Sequence, residues 1–207
     1  EGSSIGALVL DADYVVNGDV ADVVVAATDG QLSRWTRFSA QPVATMDPTR
    51  RLARIQPEET EALGADPGIA DTAAVLLAAE QIGAAERCLE LTVEYAKNRV
   101  QFGRPIGSFQ ALKHRMADLY VAIAAAKAVV SDACDAPTPT NAATARLAAS
   151  EALTTVAAEG IQLHGGIAIT WEHDMHLYFK RAHGSAHLLG SPRELLGRLE
   201  SEVLPQP

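Results

Sequence analysis

Residues 93–114 read VEYAKNRVQFGRPIGSFQALKH, and the order of this stretch decides the fold. A long helical pattern ends in Arg99, Gln101 and Phe102, a short turn containing proline and glycine follows, and a second long helical pattern begins at Ser108. An arginine and a glutamine at a helix end beside a tight turn can bind a phosphate and the edge of a nucleotide. The stretch therefore predicts two long helices joined at a candidate binding turn.

The sequence on both sides of this turn is typical of long helices. Four segments place apolar residues at helical spacing, at about 67–100, 108–133, 141–164 and 172–199. Asp66 before Pro67 favours the start of the first helix, and Gly165-Gly166 favours the end of the third. The fourth segment is interrupted near Gly184 and Gly190. Because alanine is abundant in all four, the helices can approach closely, and we expect an antiparallel four-helix bundle.

Residues 1–56 have a different pattern, which predicts short strands. The apolar or alternating runs are 7–10, 21–27, 32–39 and 52–55. These strands are too few to close a barrel or to complete a sandwich, so we expect the C-terminal part of a β-domain whose remainder lies upstream or on a partner. The predicted fold class is mainly α, with a bundle over 67–207, part of a β-domain over 1–56 and a polar linker over 57–66.

Composition and charge argue against several classes of function. The 207 residues carry a formal net charge of −9 with no basic stripe, which argues against a nucleic-acid partner. No apolar run reaches the roughly 18 residues that a membrane span needs. The N-terminus lacks the features of a signal peptide and an initiating Met, which fits a chain that begins inside a longer gene product. Cys88 and Cys134 fit buried thiols in a reducing compartment, such as a bacterial cytoplasm.

A second motif, Gln162-Leu163-His164-Gly165-Gly166, strengthens the case for a binding site. Taken alone, Gly165-Gly166 is a helix stop and Arg99 a favourable charge at a helix C-terminus. Their coincidence favours a phosphate-bearing ligand, because arginine makes forked contacts to phosphate and glycines let backbone N–H groups approach. A metal site is not expected, since Glu172, His173 and His176 lack a closing set of ligands.

With both motifs in view, the sequence resembles the acyl-CoA dehydrogenase family over nearly its whole length. The family's Arg-x-x-Phe-Gly-x-x-Ile…Gln pattern is matched by Arg99, Phe102, Gly103, Ile106 and Gln110. Its Gln-x-x-Gly-Gly pattern is matched by the second motif. The resemblance implies an N-terminal helical domain, a middle β-domain and a C-terminal four-helix bundle, of which this chain holds the end of the middle domain and the bundle.

The resemblance also implies a cofactor and a reaction. In this family the two motifs bind FAD across a subunit interface, and an acyl-CoA thioester is desaturated between its α and β carbons. Arg99 would pair with the pyrophosphate and the second motif would approach the cofactor of a neighbouring subunit. The residues implied in FAD binding are Arg99, Gln101, Phe102, Gln110, Gln162, Gly165 and Gly166. The implied partners are acyl-CoA, an electron-transfer flavoprotein as acceptor, and like or unlike subunits in a dimer of dimers.

The glutamate that removes the α-proton in this family is absent from both of its usual places. Leu189-Gly190 stands at one and Thr72-Ala73 at the other. Asp71 and Glu80 are the nearest acids, and Asp71 is the candidate catalytic residue. On a regular helix Asp71 faces away from Ala73 and serves as an ordinary first-turn carboxylate. Three interpretations stay open: a complete dehydrogenase subunit, a half-site subunit whose partner supplies the base, and a structural scaffold without flavin.

Overall fold

The computed structural model describes residues 3–203, and the side chains of 3–202. The chain divides into two compact units, Glu1–Ala73 and Ala74–Pro207. Helices dominate the second unit and strands the first, which confirms a mainly helical fold preceded by a β-region. No helix in the described range is long and apolar enough to cross a membrane.

The first unit contains a five-stranded mixed sheet in the order β1-β3-β4-β5-β2. Its strands are β1 (Gly6–Val9), β2 (Val15–Val16), β3 (Val23–Thr28), β4 (Gln31–Val43) and β5 (Leu52–Ala65). Only β1 and β3 pair in parallel, while the other pairs are antiparallel. Alternate side chains of these strands, among them Val24, Trp35 and Ile55, form a small apolar core. The four predicted strands are confirmed, and the two-residue β2 was missed because it is too short to show alternation.

The predicted linker over 57–66 is wrong, because residues 57–65 continue β5. They pair with β4 as the second strand of a long ribbon, in which Arg37 lies opposite Glu59. The guanidinium of Arg37 also makes ion pairs with Glu58, at 2.8 Å, and Glu59, at 2.9 Å. Every residue from 57 to 65 is exposed. A strand exposed on both faces has the polar composition of a linker, so its sequence does not show the apolar alternation that predicts a strand.

The second unit is a helical bundle whose elements match the predicted segments closely. The helices are α1 (Ile69–Asn98), α2 (Gln110–Asp135), α3 (Pro139–His164), α4 (Met175–His187) and α5 (Pro192–Val203). Asp66 caps α1 as expected, since its Oδ1 accepts hydrogen bonds from the backbone N–H groups of Gly68 and Ile69, both at 2.9 Å. The predicted break near Gly184 is wrong. Gly184 lies inside α4, where the adjacent Ser185 is fully buried and packing outweighs the weak helix propensity of glycine.

Small residues allow the helices of the bundle to approach closely. Ala78 and Ala85 on α1 and Ala145, Ala149 and Ala157 on α3 have no solvent exposure. A Cβ at Gly160 of α3 would lie 2.8 Å from Met175 Sδ and 3.3 Å from Cys88 Sγ. Cys88 is therefore buried as expected, and burial raises the pKa of its thiol to about 12. The same expectation is wrong for Cys134, which is exposed near the end of α2.

Candidate functional site

The first motif forms a tight hairpin directly after α1. Strands β6 (Val100–Gln101) and β7 (Arg104–Pro105) pair antiparallel, and Phe102 and Gly103 make the two-residue turn between them. The backbone N–H of Ile106 donates to the carbonyl of Arg99 at 2.8 Å, which closes the hairpin onto the helix end. A 3₁₀ turn over Ile106–Ser108 then leads into α2. The sequence pattern therefore produces a tight hairpin turn between two long helices.

Phe102 stands out because it is both strained and exposed. Its φ is 53°, and Gly103 follows with a φ of 76°, as a two-residue turn with left-handed residues at both positions requires. A bulky side chain in this region costs about 1–3 kcal/mol. Phe102 is nevertheless 92% exposed, so burial within the described chain does not offset that cost. Its ring meets the edge of Phe109, with centroids 6.3 Å apart, and Arg104 lies over the Phe109 ring at 4.0 Å.

Arg99 offers a charge that the described part of the chain leaves unused. Its backbone N–H donates to Tyr95 at 2.8 Å, continuing the last turn of α1, and its side chain is exposed. Among residues 3–203, no hydrogen bond or ion pair involves its guanidinium. Gln110, also exposed, begins α2, whose N-terminus has no side-chain cap. An exposed arginine and an uncapped helix N-terminus are each groups that attract an anion. Gln101 lies exposed between them, and its amide donates to the carbonyl of Val100 at 2.7 Å.

Gly107 holds the 3₁₀ turn against α1 and was missed by sequence reasoning. A Cβ at this position would lie 3.0 Å from the backbone oxygen of Ala96. Any side chain would therefore push the turn away from the helix. The sequence did contain a signal for this contact. Gly107 is a glycine within the motif at a position where neither a tight hairpin nor the end of a helix requires one.

The second motif ends α3 with exposed backbone. Gly165 has a φ of 69° and a ψ of −150°, a combination that glycine adopts readily, and it begins a 3₁₀ turn over Gly165–Ile169. Gly166 has ordinary φ, and a Cβ there would meet no described atom within 4 Å. Packing within the described chain therefore gives no reason for a glycine at 166. Gln162 is exposed about one helical turn earlier.

The ends of α1 and α3, and with them the two motifs, are joined by Tyr95 and His164. The Tyr95 hydroxyl donates to the backbone oxygen of His164 at 3.2 Å. The two rings stack, with centroids 4.3 Å apart and planes 27° apart. Tyr95 is one helical turn before Arg99, and His164 directly precedes Gly165. Neither residue was identified as a site residue from the sequence, although Tyr95 lies shortly before the first motif and His164 lies within the second.

His164 is held in one protonation state by its surroundings. It is 4% exposed, and its Nδ1 lies 2.7 Å from the carbonyl oxygen of Gly160. Because a carbonyl only accepts, Nδ1 carries the proton and Nε2 the lone pair. Within the described residues, the buried Nε2 has no hydrogen-bond partner. Burial lowers the pKa of His164, the Gly160 contact opposes that change, and the nearby His173 adds to it.

The acidic candidates lie elsewhere. Asp71 is half-buried in the first turn of α1, which is regular from Ile69 onward, so the unwound start that would turn its side chain is not observed. Glu80 makes an ion pair with Arg181 at 2.9 Å. Leu189, at the position of the family's loop glutamate, has a left-handed φ of 59°. Across residues 3–203, no three His, Cys, Asp or Glu side chains are grouped to hold a metal.

Comparison with known proteins agrees with this geometry. Residues 45–195 match the family described as "Acyl-CoA dehydrogenase, C-terminal domain". The chain is 86% identical over 207 residues to acyl-CoA dehydrogenase IpdE2 of Mycobacterium tuberculosis (strain ATCC 25618 / H37Rv), covering 100% of this chain and 65% of that protein. It therefore spans less than two thirds of that relative's length.

Solved structures of similar fold include assemblies of more than one named chain. The ChsE4-ChsE5 complex from Mycobacterium tuberculosis matches 100% of this chain and 65% of the other, with a TM-score of 0.81 and 26% identity. A variant of the Tcur3481-Tcur3483 steroid ACAD matches 96% of this chain and 62% of the other, with a TM-score of 0.82 and 27% identity. Members of this family are FAD-dependent oxidoreductases acting on CH–CH bonds. On the match over residues 45–195, this chain belongs to the acyl-CoA dehydrogenase family and contains its C-terminal domain.

Proposed function

We propose that this chain is a subunit of an FAD-dependent acyl-CoA dehydrogenase that introduces a double bond between the α and β carbons of an acyl-CoA thioester. The observation that carries the proposal is the exposed guanidinium of Arg99, held on a strained hairpin beside the uncapped N-terminus of α2. An anion is the natural ligand of this set. A Cβ at Gly165 or Gly166 would meet no described atom within 4 Å, which leaves space for another part of the cofactor to approach the backbone. The residues therefore fit FAD.

In this function each candidate has a separate task. Arg99 binds the pyrophosphate, while Gln101, Phe102 and Gln110 contact the adenosine end. Gln162, Gly165 and Gly166 present polar groups to the cofactor of a neighbouring subunit. FAD, if bound, would supply the acceptor for the hydride from the β carbon, and an electron-transfer flavoprotein would take up the electrons afterwards. The chain's own residues bind and orient the cofactor.

The base that takes the α-proton is proposed to come from a partner subunit. Two observations favour this half-site version over Asp71: α1 is regular around Asp71, and Leu189 stands in the loop. The ChsE4-ChsE5 complex, with two different named chains, gives a precedent for an unlike partner. The steroid ACAD among the similar structures makes steroid thioesters the first substrates to test.

Assembly follows from the same proposal, because a site shared between subunits is incomplete in one chain. On α2, Tyr120 is 68% exposed and Val121 64% exposed, an apolar patch that fits a subunit contact. The chain should form a dimer of dimers with like or unlike subunits.

Purification with any co-purifying partner, followed by a flavin absorption spectrum, tests the function directly. Stoichiometric FAD together with reduction of the flavin by an acyl-CoA supports it. A well-folded, colourless monomer of about the chain's 21.8 kDa would instead establish a scaffold.

A further inference from the structure

We propose that Tyr95 and His164 are positioning residues that hold the two FAD-contacting motifs together as one site, and that His164 does so only while its imidazole is neutral. The inference rests on the proposed FAD site and adds a pH dependence to it. It does not follow from either motif, because both patterns leave the residue type open at these places and the contact between Tyr95 and His164 is seen only in the structure.

The first step is the hydrogen bond from Tyr95 to the main chain. The last carbonyl groups of a helix have no partner within the helix. The Tyr95 hydroxyl donates to one of them, the carbonyl of His164, at 3.2 Å, and so acts as a side-chain cap for α3. Arg99 is one turn further along α1, and its backbone N–H donates to the Tyr95 carbonyl at 2.8 Å. A displacement of the α3 end is therefore transmitted to the base of the hairpin.

The second step is the stack of rings behind that bond. His164 lies on Tyr95 with centroids 4.3 Å apart and meets His173 with centroids 4.6 Å apart. The Nδ1–H of His164 donates to Gly160 at 2.7 Å, which fixes the ring orientation. His173 is fixed in turn, because its Nδ1 accepts from the backbone N–H of Met175 at 3.1 Å. The turn carrying Gly165 and Gly166 is thus held from both sides.

The third step concerns the second proton of the His164 ring, which this stack disfavours. A second proton on His164 would sit on the buried Nε2, which has no acceptor within the described residues. The titratable groups facing the ring are Tyr95 from α1 and His173 from the segment before α4. On α3 itself, Glu159 is paired with Arg115 of α2. No carboxylate thus faces the ring within the described chain, and a positive charge there is unfavourable.

The sign of the pH effect follows from the lowered pKa of His164. A histidine with a pKa below its ordinary value contributes stability above the ordinary pKa, and that stability is lost as the pH falls. Because FAD binds the intact arrangement, its affinity should be full at neutral pH and should fall only as the pH drops through the lowered pKa of His164, which lies below the ordinary histidine value of about 6.5.

Two variants of the holoenzyme, purified with any partner, test the inference by FAD titration. Tyr95→Phe removes only the hydroxyl and should weaken FAD binding about three- to tenfold, the range for one hydrogen bond. Tyr14→Phe is the matched control, because it removes the same group from a tyrosine that is 53% exposed in the other unit. Its FAD affinity should equal that of the wild type.

The second variant, His164→Asn, retains a donor for the Gly160 carbonyl but cannot titrate. Wild-type affinity should fall as the pH is lowered well below the ordinary histidine pKa of about 6.5, whereas His164→Asn should give a flat profile. His173→Asn should keep most of the wild-type slope. Circular dichroism at each pH confirms that every protein compared is folded.

The outcomes separate this inference from the proposed function. Wild-type affinity in Tyr95→Phe, or an unchanged acid loss in His164→Asn, overturns the positioning roles while leaving FAD binding in place. Absence of FAD binding by the wild-type holoenzyme at every pH overturns the proposed function itself.

Discussion

Arg146, whose side chain is fully buried on α3, donates a hydrogen bond from Nη2 to the backbone oxygen of Leu188 at 2.8 Å. The same Nη2 donates to the carbonyl of Ser185 at 2.9 Å, and Nη1 donates to Ser150 Oγ at 2.7 Å. A single guanidinium therefore satisfies the last turn of α4 and fixes the start of the loop that carries Leu189. This loop is where the resemblance to the family implies a glutamate, and the bundle holds it in place although Leu189 stands there.

Replacing Arg146 should cost much more stability than replacing an exposed arginine. Arg146→Ala removes the hydrogen bonds to the carbonyls of Ser185 and Leu188 and to the side chains of Ser150 and Gln81, and opens a cavity, so we expect a loss of at least about 3 kcal/mol in the free energy of unfolding. Arg87→Ala is the control, because Arg87 is exposed and forms an ion pair with the exposed Glu90. Urea denaturation measures both. Equal losses in the two variants would contradict the role assigned to Arg146.

The same substitution should have opposite effects at two helical glycines. Gly160→Ala forces a methyl group to within 2.8 Å of Met175 Sδ in a packed interior, so we expect destabilisation of about 1–3 kcal/mol. Gly83→Ala, on the exposed face of α1 with no atom within 4 Å, should stabilise by roughly 0.5–1 kcal/mol. Thermal unfolding of the two variants compares them directly. Destabilisation by Gly83→Ala would show that its face is covered by a partner.

Arg99→Ala should lower the flavin content of the purified protein. A hydrogen bond to a charged group contributes about 1.5–3 kcal/mol, which corresponds to a roughly 10- to 150-fold weaker FAD affinity. Arg87→Ala, from the same helix, is the control for loss of charge alone. The ratio of flavin absorbance to protein absorbance reports the result. Unchanged FAD stoichiometry and affinity in Arg99→Ala would remove Arg99 from the site.

Asp71→Asn should either abolish dehydrogenation or leave it intact, and the regular start of α1 leads us to expect the second result. Its effect on stability should be within about 1 kcal/mol, since a first-turn carboxylate interacts with the helix dipole. Steady-state reduction of an electron acceptor by acyl-CoA gives the activity. Loss of turnover with FAD still bound would make Asp71 the base and rule out the half-site version.

Phe102→Asn should change the stability of the hairpin and the affinity for FAD in opposite directions. Asparagine tolerates a left-handed backbone better than phenylalanine, so the hairpin should gain up to about 1 kcal/mol. FAD affinity should fall, because the exposed ring is proposed to contact the adenosine end. Thermal unfolding without FAD and FAD titration measure the two effects. A variant that is less stable and binds FAD normally would show that Phe102 has a packing role instead.

The sequence predicted the helices well because their signals are local. Asp66 marks the start of α1, and Gly165 marks the end of α3, through backbone geometry within a few residues. Residues 57–65 were misjudged because a strand exposed on both faces has no apolar alternation to detect. The contact of Tyr95 with His164 spans 69 positions of the chain, and neither residue has a distinctive spacing. The assignments of the site residues and of FAD stay predictions until the experiments above are done.

Hydrogen exchange in the β4–β5 ribbon should report whether another surface covers this part of the chain. Holding one residue in an extended conformation costs about 1–2 kcal/mol of conformational entropy, and residues 57–65 recover little of it because they are exposed. In the described chain, β4 is the only strand that pairs with this stretch, so half of its backbone amides point outward. Those amides should exchange hydrogen rapidly in a lone chain and slowly once another surface covers them. Hydrogen exchange of this single segment, measured by mass spectrometry, would therefore report the fraction of assembled molecules without a label or an activity assay.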